Sequence, residues 1–160
     1  MQDPAGRSMR RAVNTRAGIG ALVVIGLAFC GVGYLGLVAP NALFGPVGIE
    51  WDRLSNTSMN ELTAMYGGMH AALGLFFLIA AFVPAIRVGA LCAAAAFLIG
   101  LVTGRIVSLV RDGIPGPMPL AFVVVELMGV LIILGALLKR HAPPAAPAVA
   151  TSASTSTPPL

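Results

Sequence analysis

Glu61, His70, Arg105 and Glu126 are the ionisable side chains that fall well inside long apolar stretches of this 160-residue chain. A charged residue at the middle of a membrane helix costs about 2.5–3.5 kcal/mol on insertion scales, so each is a candidate for ion pairing, proton transfer or ligand binding. Arg105 lies near the end of one stretch and Glu126 near the start of the next. Both sit roughly 8–9 Å from the same boundary at about 1.5 Å per residue. They are expected to form an ion pair between adjacent helices. Such a pair fixes helix register or forms part of a polar binding site.

Glu61 has more than one reading. Ser58-Met59-Asn60-Glu61 matches a capping box, in which Ser58 caps a helix and Glu61 reaches back to the cap N–H. Alternatively Glu61 pairs with Arg105, or handles a ligand or proton itself. On a regular helix Glu61 and His70 lie on opposite sides, so they do not form a dyad. His70 shares its side with Thr63, Tyr66 and Phe77. Its expected role is a hydrogen bond between helices, with Tyr66 one turn away as a partner.

Several activities lack their residues. There is no Walker-type glycine loop and no zinc-protease helix motif. No nucleophile, base and orienting group can be read together, so no catalytic residue is assigned. A membrane b-type haem needs two axial histidines, and His70 alone lies in an apolar stretch; a second would have to come from a dimer or partner. Cys30 and Cys92 each sit inside an apolar run. They fit neither a metal-ligand pattern nor a disulfide framework and read as small packing residues. No metal and no cofactor is expected. Asn56-Thr57-Ser58 matches a glycosylation sequon, a pattern short enough to arise by chance.

The elements that must position these residues follow from composition. The chain is 58% hydrophobic and 10% charged, with mean hydropathy +0.92. A soluble domain carries roughly 25% charged residues, so much of this surface requires lipid. Four stretches, about Ala17–Ala39, Met59–Val83, Val88–Val110 and Leu120–Leu138, approach or exceed the roughly 20 residues that cross a bilayer as a helix. Pro40, Pro84 and the run Gly113, Pro115, Pro117, Pro119 separate them. Short links make consecutive helices antiparallel neighbours. The expected fold is an all-α, integral membrane four-helix bundle of antiparallel up-down topology.

Charge sets the orientation. Arg7, Arg10, Arg11, Arg16, Arg87, Lys139 and Arg140 fall on one side, against Arg53 and Arg111 on the other. The positive-inside rule then puts both termini in the cytoplasm of a cell whose plasma (inner) membrane holds the chain. Trp51, in the longest outer loop, suits the headgroup level. The first apolar run exceeds the roughly 7–15 residues of a cleaved signal peptide, so it reads as a retained helix. Three segments result: a basic cytoplasmic arm (1–16), the helical domain (17–138) and a disordered Pro/Ala/Ser/Thr-rich tail (139–160). The net charge of +4 flanks apolar segments, so it reads as a topology signal, not a nucleic-acid surface. Gly100-x-x-x-Gly104, and Gly67, Gly68, Ala71 and Ala72, mark faces where helices can approach closely.

One ordered set of residues resembles a known family. Asn60-Glu61-Leu62-Thr63-Ala64-Met65-Tyr66-Gly67-Gly68 precedes Gly104-Arg105-Ile106-Val107-Ser108, then Asp112-Gly113-Ile114-Pro115, then Glu126-Leu127. Over roughly residues 17–138 this is similar to the bacterial membrane family catalogued as domain of unknown function 4345. The resemblance implies a small four-helix inner-membrane protein with no established activity. It singles out Glu61, Tyr66, Gly67, Gly68, Arg105, Asp112, Gly113 and Glu126. Thr63 stands where the family pattern leads one to expect Arg.

From sequence, the leading expectation is a non-enzymatic accessory or scaffold protein. It would act by helix packing among membrane lipids, in a homo-oligomer or a larger membrane complex. The alternative is a binding or transport module for a lipid, quinone or small solute, using Glu61, Arg105, Glu126, Tyr66 and His70. An intramembrane enzyme comes last.

Overall fold

The computed structural model describes residues 16–138. The basic arm before Arg16 and the tail from Lys139 onward, with the expectations attached to them, lie outside the described residues. Helix α1 is Arg16–Val38 and a short α2 is Pro40–Phe44. Single 3-10 turns follow at Gly45–Val47 and Trp51–Arg53. Helix α3 is Asn56–Phe82, α4 is Arg87–Asp112 and α5 is Pro117–Leu138. Among the described residues there is no strand. The four long helices are each long and apolar enough to cross a membrane. Large apolar side chains lie on the outside, among them Val24, Phe82, Val110, Val125 and Leu131, as a lipid-facing surface requires.

The prolines act where their chemistry allows. Pro40 follows the end of α1 and opens α2, since a first-turn N–H has no helical acceptor to lose. Pro117 and Pro119 open α5 for the same reason, starting it three residues before the apolar run alone indicates. Val83 turns extended before Pro84 and ends α3. At this tight corner Arg87 is buried, and its Nη2 donates to the Ala81 carbonyl at 2.8 Å. That satisfies a carbonyl of the last turn of α3, which has no helical donor. Arg87 therefore has a structural role beside the topological one that the charge count suggests. Gly113 ends α4 at φ +92°, a conformation that L side chains rarely adopt.

Helices α1 and α3 form the closest pair. Their contacts run antiparallel, from Gly26 beside Gly74 and Leu78 to Gly36 beside Gly67. A Cβ added at Gly33 would stand 2.5 Å from the Ala71 backbone nitrogen, and one at Gly74 2.6 Å from that of Cys30. Lipid gives little hydrophobic drive for helix association, so backbone-on-backbone van der Waals contact holds such a pair. Helices α4 and α5 also run antiparallel, with Leu98 against Gly129 and Arg105 against Glu126. The apolar core gathers at the end of the molecule that holds the α3–α4 corner. Leu22, Phe77, Ala80, Leu91, Ala94 and Ile133 are buried there. Toward the other end α4 has no buried residue after Val102, and the packing opens.

Candidate functional site

The segment between α1 and α3 is seated by aromatic rings. Phe44 is buried and lies parallel to Trp51, with centroids 5.3 Å apart. Its other side meets Tyr66 edge-on at 5.3 Å. Tyr66 stacks on His70 at 5.5 Å, and His70 stacks on Phe29 at 5.2 Å. Phe97 closes on His70 edge-on at 5.7 Å. This column runs from the loop into the interior, and it holds the His70 ring between Tyr66 and Phe29.

The backbone under it is unusual. Thr63–Met69 is a π-helix set within α3. Such widened turns are rare and recur at functional sites. Here the widening carries the Gly67-Gly68 pair and brings the Met65 carbonyl, five residues back, to 2.8 Å from His70 Nδ1. The expected interhelical hydrogen bond of His70 is thus replaced by one to its own helix. Tyr66 meets His70 through its ring face instead of its hydroxyl.

Arg105 and Glu126 do form the ion pair. Arg105 Nε donates to Oε2 and Nη2 to Oε1, both at 2.8 Å, in a fork-to-fork geometry. The Glu126 side chain is 10% exposed and that of Arg105 32%. The guanidinium also lies 5.4 Å from the Phe122 ring centroid, close enough for a cation–π contact.

Glu61 stands apart from this pair. The cap of α3 is Ser55, whose Oγ accepts from the Ser58 N–H at 3.1 Å. The helix therefore begins three residues earlier than the Ser58 reading places it, which leaves Glu61 beyond the first turn. Glu61 is exposed. Among the described residues it has no ion pair, so neither the capping role nor the pairing with Arg105 is realised.

The remaining four candidates converge on one cavity. A cleft of about 610 Å³ lies chiefly between α1 and α5, reaching from Gly20 and Ile132 to Leu43 and Phe122. Tyr66, His70, Arg105 and Glu126 line it, and the other walls are almost wholly apolar. Its volume lies within the roughly 300–1,000 Å³ usual for small-molecule sites. Composition gave no sign of this cleft, because α1 and α5 are distant in sequence and both are apolar all round. Among the described residues there is no group of three or more His, Cys, Asp or Glu that could hold a metal ion.

Of the other positions in the ordered motif set, Gly67 touches Gly36 and Leu37 of α1. Asp112 accepts from Ser108 Oγ at 3.0 Å and from Arg111 at 2.7 Å and 2.8 Å, on an exposed surface beside Gly113.

Fold and site together define a small helical protein with four membrane-length helices and a polar cluster at one end of an apolar cleft. The chain belongs to the family described as Domain of unknown function (DUF4345), whose family model matches residues 20–137. No curated protein and no solved structure matches it.

Proposed function

We propose that this chain is a non-enzymatic, membrane-embedded binding protein for an amphipathic, lipid-soluble molecule. The observation that carries the reading is the cleft between α1 and α5, apolar along its length and polar only where Tyr66, His70, Arg105 and Glu126 meet. An apolar pocket with a few convergent polar groups is the usual form of a small-molecule site. Val24, Val124, Val125 and Ile132 border the cleft and are largely exposed. A ligand would therefore enter sideways from the lipid.

In the orientation we favour, both termini lie in the cytoplasm, the topology is up-down, and the polar cluster sits in the outer half of the bilayer. The Lys and Arg count of the whole sequence supports this, with seven on the proposed inner side against two on the outer.

A second reading, an accessory subunit, draws on a different surface. Gly89, Ala93, Ala96, Gly100 and Gly104 lie exposed along α4, and a Cβ at Gly89, Gly100 or Gly104 would meet nothing within 4 Å. A small-residue face of this kind lets another helix approach closely.

Purification from native membranes in mild detergent, with mass spectrometry of everything retained, separates the two. A lipid-soluble small molecule at stoichiometric level supports the binding protein. A stoichiometric protein partner with no such molecule supports the accessory subunit and refutes the binding reading.

A further inference from the structure

The polar end of the cleft is electrically balanced, and it holds a bare acceptor. Arg105 and Glu126 supply the only full charges in the lining, and each neutralises the other. His70 also lines the cleft and is 7% exposed. Its Nδ1 faces the Met65 carbonyl at 2.8 Å, an oxygen that can only accept. Nδ1 is therefore the donor, and in the tautomer with that single proton Nε2 carries a lone pair. Among the described residues nothing donates to that lone pair. Stacking by Tyr66 and Phe29, with the edge of Phe97, holds the ring in this orientation.

We propose that the cleft selects a neutral, hydroxyl-headed molecule with an isoprenoid or alkyl tail, whose hydroxyl donates to His70 Nε2. This rests on the reading of the cleft as a binding site. The surrounding charges disfavour the alternatives. An anionic head would compete with Glu126 for Arg105 and face the lone pair of His70. An ammonium head would compete with Arg105 for Glu126. A neutral alcohol breaks neither bond of the pair, and Arg105 Nη1, which makes no hydrogen bond among the described residues, can donate to its oxygen. The site would thus pass over the charged phospholipids that surround it.

The test uses the full-length chain in lipid nanodiscs and tritiated farnesol as the probe. Competitors share the tail and differ in the head: farnesyl methyl ether, farnesoate, farnesyl phosphate and farnesylamine. Farnesol is expected to bind about tenfold more tightly than its methyl ether, which cannot donate, and more tightly than the three charged compounds. In His70→Phe, which keeps an aromatic ring and removes the acceptor, the gap between alcohol and ether should close. An ether that binds the native chain as well as the alcohol, a charged compound that binds best, or a gap that persists in His70→Phe overturns the inference while the cleft remains a binding site. If none of the five compounds binds, this inference fails, while the binding reading is decided separately by what the chain retains from native membranes. Should His70→Phe fail to fold, the alcohol–ether comparison on the native chain still decides.

Discussion

Helix α1 has two flanks, and they are built differently. Toward α3 it presents Gly26, Gly33 and Gly36, and the two backbones touch. Toward α5 it presents Gly20, Val24, Ala28 and Val32, and a cleft remains. Both flanks contain small residues, so residue size alone does not decide closure. On the α3 side the small residues of one helix face those of the other, Gly33 against Ala71 and Gly36 against Gly67. On the α5 side the facing residues include the bulky Val125, Met128 and Ile132, and the glycine among them, Gly129, packs against Leu98 of α4 instead of α1. Complementary small faces make a seam; a small face opposite a large one leaves a groove.

The largest expected effect breaks the seam. Gly33→Val should destabilise the fold by about 3 kcal/mol or more, at or above the usual range for overpacking, because the contacts at Ala71 are backbone and cannot rotate away. Thiol labelling of Cys30, which packs against Gly74, should accelerate in that variant during denaturant titration. An unchanged midpoint would show that the seam is looser than described.

The next effect lies at the polar end of the groove. Arg105→Met leaves Glu126 without its partner and should cost about 2 kcal/mol, less than the ~3–5 for a fully buried pair, since about a third of the Arg105 side chain is exposed. Adding Glu126→Met should recover most of that loss in thermal unfolding. If the double variant folds and retains its ligand, the Arg105–Glu126 pair only sets register and does not serve binding.

The smallest effect is a control on the open side. Gly31 is exposed with nothing within 4 Å of an added Cβ, so Gly31→Ala should stabilise α1 by about 0.5–1 kcal/mol. A loss of stability there would mean that another chain or helix packs on this face.

The sequence makes the four long helices legible because lipid demands about twenty apolar residues in a row, and prolines punctuate them. The pairing of Arg105 with Glu126 is legible for a related reason, since matched depth on consecutive antiparallel helices leaves them few other partners. Three features are not legible. The π-helix at Thr63–Met69 leaves no apolar periodicity to read in a largely apolar segment, so the sequence points His70 to a partner between helices or to Tyr66 and not to the Met65 carbonyl. The cap of α3 is not fixed by residue type, because Ser55 and Ser58 both suit the role and Ser58-x-x-Glu61 is the fuller motif, whereas Ser55 caps the helix. The groove depends on which helices face each other, and residue spacing within each helix does not contain that information.

The central claim is that the groove beside α1 holds a ligand, and filling it is the most direct test. Ala28 lines the groove and is exposed, so Ala28→Trp should occupy the space without entering the α1–α3 seam. Native and variant chains would be purified from the same membranes, checked for equal thermal unfolding, and analysed for bound small molecules by mass spectrometry. The account predicts a lipid-soluble molecule near one equivalent per native chain, falling at least tenfold in Ala28→Trp. Equal retention by both chains, or none by either, would contradict it.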